Sequence, residues 1–263
     1  MEYSRLSEPV KIKKISETDK EGVFEIEGLY TGYGLTLGNA LRRVLFSSLP
    51  GAAITQIKIK GVEHEFSTIP GVLEDVVEIM LNLKKVRFRF YANEPQILTL
   101  KVKGEREVTA RDIQTNAQVE VVNPEAYIAT ITDKNTELEM ELKVEKGLGY
   151  VPVEARKTEK LPIKTIALDA IFTPIIKVNF TIENMRVGER TDYNRLRMII
   201  ETDGSISPSS ALHKACNILK DHLEKISAIE VKSTEKEIES SEIKKETKEK
   251  KIKEKKEKKK KKK

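Results

Sequence analysis

Residues 32–50 read GYGLTLGNALRRVLFSSLP, and this stretch carries a clear helical signal. Its apolar residues recur at steps of three and four, the spacing that lays one apolar stripe along an amphipathic helix. The stripe consists of Leu37, Ala40, Leu41, Val44 and Leu45. Thr36 is a suitable N-cap and Pro50 a suitable stop, so we predict a helix between them.

The opposite face of this helix carries Asn39, Arg42, Arg43 and Phe46 on a wheel of about 100° per residue. Arginine and aromatic residues are enriched where one protein surface meets another, whereas a solvated face usually carries Lys and Glu. The face is therefore a candidate docking surface. The alternative is that Phe46 folds over its own helix and the arginines are only solvated, and periodicity leaves both interpretations open.

The composition of the 263 residues suits one large or two modest soluble domains, since 38% of them are hydrophobic. No apolar run approaches the roughly 18 residues of a membrane helix, and the first residues, MEYSRLS, lack the apolar segment of a signal peptide. Cys216 is the only cysteine, which excludes an internal disulfide and a multi-cysteine zinc site. We expect a reducing, cytosol-like compartment.

The net charge of +6 is unevenly distributed along the chain. Residues 231–263 contain 16 Lys and 8 Glu, a net charge of +8 that leaves −2 for residues 1–230. We expect this tail to be disordered, or at most a fluctuating helix, because it has too few apolar residues to offset its ordering entropy. Non-specific attraction to phosphates would come mainly from the tail.

Alternating apolar and polar residues predict strands between the helices. The pattern is visible in residues 10–15, 23–29, 57–61, 86–90, 97–102, 138–144, 178–182 and 196–200. One wet and one dry face is typical of antiparallel sheets. A second amphipathic helix is predicted after residues 70–71, with an apolar stripe made of Val72, Leu73, Val76, Met80 and Leu83. Helices and antiparallel strands together predict an α+β fold.

A third helix is predicted after Ser207, an N-cap residue followed by Pro208 at the first helical position. Its apolar positions form a near-heptad seam at Leu212, Ala215, Leu219, His222 and Ile226. Such a seam packs on the body of the same chain or on a second copy of it. Two heptads do not distinguish these alternatives.

Candidate catalytic groups do not form a recognisable site in the sequence. His64 lacks the second histidine of a metalloprotease helix, and the glycines at 32, 34 and 38 match neither the dinucleotide nor the phosphate-loop spacing. Cys216 is interpreted as a small core residue, because no orienting acid accompanies it. Glu74 and Asp75 suit the first turn of the second helix, where carboxylates favour the helix dipole.

A series of short motifs runs along the chain: TLGNALRRVL at 36–45, SSLPG at 47–51, HEFST at 64–68, GV at 71–72, ED at 74–75, LNLK at 81–84, GYVP at 149–152, DA at 169–170, Pro174 and ERTD at 189–192. In this order, over residues 10–226, the set resembles the N-terminal domain of the bacterial-type RNA polymerase alpha subunit. Any one motif is weak evidence, but the ordered set is specific.

The resemblance implies a non-catalytic scaffold that forms a homodimer and nucleates assembly of the beta and beta-prime subunits of DNA-directed RNA polymerase. It also implies two subdomains. Residues 1–50 and 172–230 would form a dimerisation subdomain of helices on an antiparallel sheet, and residues 51–171 an inserted, mostly β subdomain. The magnesium carboxylates would lie on the large subunits, so no catalytic residue, metal or cofactor is expected in this chain.

Contact residues also follow from the resemblance. The beta subunit is implied to contact Arg43 and Phe46, with Arg42 and Asn39 on the same face. The beta-prime subunit is implied to contact Lys84, Leu168 and Asp169. Pairing of the first and third helices implies a dimer interface that contains Leu37, Leu41, Leu45, Leu212, Ala215, Leu219 and Ile226.

The sequence departs from the family pattern at residues 231–263, where a linker and a small DNA-binding helical domain usually follow. We expect DNA to be reached through the complex, with the tail either a weak phosphate clamp or inert. The location would be the bacterial cytoplasm or a plastid. The competing function is a free-standing, basic-tailed nucleic-acid-binding dimer that requires no large partner.

Overall fold

The computed structural model describes residues 10–156, 162 and 164–229. Within this part of the chain, every pairing between strands is antiparallel. Internal contacts divide the chain into residues 1–220 and 221–263. The described residues of the second unit, 221–229, comprise the end of the last helix and the two residues after it.

Three α-helices and fifteen strands are present among the described residues. The helices are α1 (Tyr33–Ser48), α2 (Val76–Leu83) and α3 (Pro208–Ser227). The strands are β1 (Lys11–Glu17), β2 (Glu21–Leu29), β3 (Pro50–Ile59), β4 (Phe88–Phe90), β5 (Gln96–Lys103), β6 (Arg106–Thr109), β7 (Ile113–Gln114), β8 (Val119–Val121), β9 (Tyr127–Ile131), β10 (Glu137–Leu148), β11 (Tyr150–Val151), β12 (Ile166–Ala167), β13 (Ala170–Ile171), β14 (Ile175–Val187) and β15 (Arg190–Thr202).

One hydrophobic core is formed by residues between 52 and 168, and we call it the insert core. It lies against a five-stranded sheet in the order β12-β3-β10-β5-β7 and includes α2. Strand β10 alternates between buried and exposed residues as its sequence predicts. On its wet face, Glu141 forms an ion pair with Lys58 on the neighbouring strand β3, and Glu139 forms one with Lys60 directly after that strand.

The second core, which we call the terminal core, joins residues 24–49 to residues 175–215. Its sheet has the order β1-β2-β15-β14, and α1 contacts the last two of these strands. Helix α1 approaches the sheet closely because Gly38 has no side chain: a Cβ there would lie 2.8 Å from the ring of Phe180. Helix α3 adds Ala211 and Ala215 to the same core.

The two cores are connected where the chain passes from one to the other. A Cβ on Gly51 would lie 1.8 Å from the carbonyl oxygen of Phe172, so the two crossing segments touch through their backbones. The ring of Phe172 also covers Gly147, and it packs with Ala53 and Ala170 in a small third cluster. Larger side chains do not fit at Gly51 and Gly147, which fixes the crossing.

The predicted α+β class and each of the predicted strands are confirmed, whereas two helix starts are corrected. Helix α1 begins at Tyr33 after Gly32, whose φ of 86° is left-handed, and Thr36 lies inside its first turn. Helix α2 begins only at Val76, with Asp75 as its N-cap. The start of α3 at Pro208 is as predicted. None of the described helices is long and apolar enough to span a membrane. The predicted disorder of residues 231–263 lies outside the described residues.

Candidate functional site

The outward face of α1 presents two arginines with different surroundings. The guanidinium carbon of Arg42 lies 5.3 Å from the centre of the Phe180 ring on β14, and Nη2 of Arg42 donates a hydrogen bond of 3.1 Å to Oδ1 of Asn39. Arg42 is exposed, but its charge is already used within its own chain. Asn39 is half-buried beneath it.

Arg43 is exposed, and its guanidinium makes no hydrogen bond or ion pair with any residue of the described ranges. Besides the backbone hydrogen bonds of the helix, its carbonyl oxygen accepts a hydrogen bond of 2.8 Å from the hydroxyl of Ser47. Phe46, on the same face of the helix, keeps 37% of its surface exposed. Neither side chain is therefore buried inside the protomer, and both are available to another polypeptide.

Lys84 and Asp169 come together although 85 residues separate them along the chain. Lys84 is the C-cap of α2, and its backbone N–H donates to carbonyl oxygens in the last turn of that helix. The Nζ atom of Lys84 lies 2.9 Å from Oδ2 of Asp169. The second carboxylate oxygen of Asp169 accepts the N–H of Val153 at 3.0 Å. The hydrogen bond from Lys84, followed by that from Val153, lowers the pKa of the Asp169 carboxyl. Both side chains remain partly exposed.

Leu168 does not lie at the surface beside them. Its side chain is completely buried in the insert core, and its backbone N–H donates to the carbonyl oxygen of Thr55 at 2.9 Å. Its carbonyl oxygen accepts a hydrogen bond from Arg156. The Leu168 side chain therefore anchors the segment that presents Asp169, and the predicted contact of this segment with a partner stays a prediction.

The predicted dimer residues fall into a buried group and a group that is at least partly exposed. Leu41, Leu45 and Ala215 are buried in the terminal core of their own chain, so their side chains do not reach the surface. Within one copy of the chain, the apolar stripe of each helix covers the sheet, and the assignment of these residues to a dimer interface stays a prediction. The residues that remain partly exposed at the edge of that core are Leu37, Leu212 and Leu219. In the second unit, Ile226 is 61% exposed.

The structure shows what surrounds each of the residues that were considered for catalysis. His64 is exposed and contacts the hydroxyl of Ser67 at 3.2 Å. Cys216 is exposed at the surface of α3, which overturns its interpretation as a core residue. Neighbouring atoms partly desolvate its thiol and so raise the pKa of that group. The carboxylate of Glu74 is buried and accepts from the Tyr127 hydroxyl and the Thr130 N–H. In the described ranges, no group of three His, Cys, Asp or Glu residues could hold a metal ion.

Asp75 rather than Glu74 serves the start of α2. Its Oδ1 accepts the N–H of Glu78 at 2.7 Å, which satisfies one of the free donors at the helix N-terminus.

Arg89 is a residue that sequence reasoning missed. The alternation VRFRF at 86–90 indicated only a wet strand face, and nothing in it indicated that an arginine reaches a distant turn.

Comparison with known proteins gives consistent matches. Residues 57–173 match the family described as the RNA polymerase Rpb3/RpoA insert domain. The DNA-directed RNA polymerase subunit alpha of Symbiobacterium thermophilum is 52% identical over 210 residues, which cover 80% of this chain and 66% of that protein. The corresponding subunit of Alkaliphilus oremlandii is 50% identical over 214 residues, with 81% of this chain and 67% of that protein covered.

A third relative, the alpha subunit of Roseiflexus castenholzii, is 51% identical over 227 residues, which cover 86% of this chain and 70% of that protein. The matched part of the chain thus spans about two thirds of the length of these curated relatives. The predicted resemblance, which rested on short motifs, is confirmed over most of the described residues.

Proposed function

Because the chain belongs to the family of bacterial DNA-directed RNA polymerase alpha subunits, we propose that it is the non-catalytic scaffold of such a polymerase. Two copies form a dimer, and the dimer brings the beta and beta-prime subunits together. Nucleotide transfer then takes place on those large subunits, in a complex with nucleotidyltransferase activity. The chain itself contributes surfaces rather than reacting groups, and it needs no cofactor for this role.

The observation that carries this proposal is the exposed pair of Arg43 and Phe46 on α1. A guanidinium without a partner among the described residues has five donors to offer, and a neighbouring aromatic ring adds apolar contact area. Arginine and aromatic residues are the types that dominate binding energy at protein interfaces. We assign these two residues to contact with the beta subunit, with Arg42 and Asn39 holding the adjacent surface in shape.

The beta-prime contact is assigned to the Lys84–Asp169 pair. Lys84 and Asp169 keep 23% and 30% of their side chains exposed, so the pair forms a fixed polar site at the surface of the insert core. A partner that binds there meets one cation and one anion in a defined position, which favours specificity over affinity. Leu168 supports this site from inside the insert core, through the segment that carries Asp169.

Dimerisation is assigned to the partly exposed edge of the terminal core. Leu37 on α1 and Leu212 and Leu219 on α3 pack against that core while leaving apolar surface uncovered. Ile226, which is largely exposed, is assigned to the same role from the sequence of α3. Burying such surface against a second copy contributes about 25 cal/mol per Å² of apolar area.

The two cores support the proposed division into a dimerisation subdomain, residues 1–50 and 172–230, and an inserted subdomain, residues 51–171. The match to the insert-domain family at residues 57–173 supports it as well. We place the protein in the bacterial cytoplasm, with a plastid as the alternative. The lysine-rich residues 231–263 would add weak, salt-dependent attraction to DNA within the complex.

Co-purification from the native cell tests the proposal. A tagged copy of the full chain is expected to bring down two large polypeptides, identified by mass spectrometry as polymerase subunits, and to be dimeric when purified alone. A chain that brings down no large subunit, and instead binds duplex DNA tightly by itself, would contradict the scaffold and support the free-standing nucleic-acid-binding dimer.

A further inference from the structure

Arg89 connects the two cores through its side chain. It lies on β4 between Phe88 and Phe90, which pack in the insert core. Its Nη2 donates a hydrogen bond of 3.0 Å to the carbonyl oxygen of Gly204, and its Nε donates one of 3.4 Å to the carbonyl oxygen of Ser205. These two carbonyls belong to the turn that follows β15, so one guanidinium connects the insert core to the segment between β15 and α3.

The turn that receives Arg89 is held by its own hydrogen bonds. Oδ1 of Asp203 accepts both the N–H and the hydroxyl of Ser205, at 2.8 and 2.6 Å. The N–H of Asp203 donates to the carbonyl oxygen of Pro174 at 3.0 Å, beside the segment that crosses between the cores. Gly204 adopts a left-handed φ of 91°. The carbonyls therefore point at Arg89 from a preformed turn rather than from a loose loop.

This turn leads directly into α3. The next residue, Ile206, packs against the terminal core, and α3 begins at Pro208. A Cβ on Gly204 would lie 3.1 Å from Cγ1 of Val122, so the turn also touches the neighbourhood of β8. Movement of the insert core relative to the base of α3 would have to break the contacts of Arg89.

An arginine has a chemical reason to occupy this position. Its planar guanidinium presents donors in a rigid fork, and two parallel contacts to successive carbonyls restrict rotation as well as distance. The remaining nitrogen, Nη1, donates to Oε2 of Glu120 at 3.1 Å, on the strand paired with β4. Each of the three nitrogens thus has a partner, and Glu120 pairs with the nitrogen that does not bind the turn.

We infer that Arg89 is a positioning residue that holds the insert core in one orientation relative to the base of α3. The consequence for function rests on the proposed scaffold role. With Arg89 in place, the Lys84–Asp169 site and the dimerisation edge of α3 keep a constant spacing. The two large partners then bind a scaffold that already has the geometry of the assembled complex.

The orientation is measured directly by pulsed electron paramagnetic resonance on the full-length chain. Spin labels are attached at Lys134→Cys, in the turn before β10, and at Lys214→Cys, on α3, in a Cys216→Ser background; both label positions are exposed. Labelled chains are diluted with unlabelled ones so that only distances within one chain are recorded. A single narrow distance distribution is expected with Arg89 present.

Arg89→Met keeps the apolar stem and removes all three hydrogen bonds, so its distribution is expected to broaden or shift. Glu120→Gln is the matched control, because it removes the ion pair but leaves the fork on the carbonyls, and its distribution is expected to match the parent. An unchanged distribution in Arg89→Met would overturn the inference. Should Arg89→Met not fold, Arg89→Lys decides by the same criterion, because it keeps the charge without the fork.

Assembly with the large subunits is measured separately. Arg89→Met is expected to lose co-assembly while remaining a dimer, whereas Glu120→Gln assembles as the parent does. If the parent chain itself binds no large subunit, the proposed function fails, but the distance measurement still tests whether Arg89 fixes the orientation of the insert core. The two failures are therefore distinguishable.

Discussion

Arg42 lies with its guanidinium 5.3 Å from the centre of the Phe180 ring, a contact that ties α1 to the edge strand β14 of its own sheet. Its neighbour Arg43 has no such partner in the described residues. The helix therefore carries two adjacent arginines with different surroundings, and we predict that Arg42 contributes to stability and Arg43 to recognition. Substituting each in turn separates the two tasks.

Arg43→Ala is expected to leave stability within about 0.5 kcal/mol of the parent, because the exposed guanidinium makes no hydrogen bond or ion pair with the described residues. Association with the beta subunit is expected to weaken by about 2 kcal/mol, or about 30-fold, as for an arginine at the centre of an interface. Reconstitution with purified large subunits measures this loss. Lys134→Ala, another exposed cation, is the control, and equal effects from both substitutions would contradict the prediction.

Arg42→Ala is expected to show the opposite profile. It removes the contact with Phe180 and the hydrogen bond to Asn39, so the free energy of unfolding should fall by about 1 kcal/mol in urea titrations. Association with large subunits should change much less than in Arg43→Ala. An Arg42→Ala protein that is as stable as the parent would show that the Phe180 contact contributes nothing.

Gly38→Ala tests the close approach of α1 to its sheet. A Cβ at this position would lie 2.8 Å from the Phe180 ring and 3.2 Å from Cδ1 of Leu196. Alanine favours the helix by about 1 kcal/mol, but overpacking costs about 1–3 kcal/mol, so we expect a net loss of about 1 kcal/mol in thermal or urea unfolding. The double variant Gly38→Ala with Phe180→Leu should recover part of this loss, and a more stable single variant would contradict the steric argument.

The helix and strand periods explain why much of the fold was predictable. In α1, the i, i+3, i+4 spacing located the buried stripe and left Arg43 and Phe46 at the surface. In β10, the alternation located both faces. The two-residue strands β7 and β11 were missed because so few residues have no measurable period. The start of α2 was misplaced because Val72 and Leu73 continue its apolar pattern without being helical.

Contacts between distant segments explain what the sequence did not reveal at the candidate sites. Arg42 looked equivalent to Arg43 until the fold brought Phe180 beneath it. Leu168 and Asp169 are adjacent in the chain, yet one is buried and the other reaches Lys84 at the surface, because the segment has no regular period that would separate its faces. Local patterns determine which residues share a face, whereas tertiary packing determines what that face meets.

Glu17 is expected to make the stability of the fold dependent on acid. Its Oε1 accepts the N–H of Ser209 in the first turn of α3 at 2.8 Å, and its Oε2 lies 2.8 Å from Nζ of Lys14. The hydrogen bonds from Lys14 and then Ser209 lower the pKa of Glu17 from 4.5 to about 2. Because the folded pKa is the lower one, the stabilisation is fully present above pH 4.5 and is lost as the pH falls towards 2.

Glu17→Gln is expected to reduce the free energy of unfolding by about 1 kcal/mol at pH 7, since it removes a carboxylate from a helix N-terminus and from an ion pair. The difference from the parent should shrink as the pH falls from 4.5 towards 2, because Glu17 of the unfolded parent becomes protonated first, and the folded carboxylate becomes neutral only near its pKa of about 2. Urea titrations at a series of pH values measure both curves. Glu21→Gln in the same hairpin is the control, because the Glu21 carboxylate has no partner among the described residues, and it should run parallel to the parent. A Glu17→Gln curve that coincides with the parent at every pH would show that α3 gains nothing from this carboxylate.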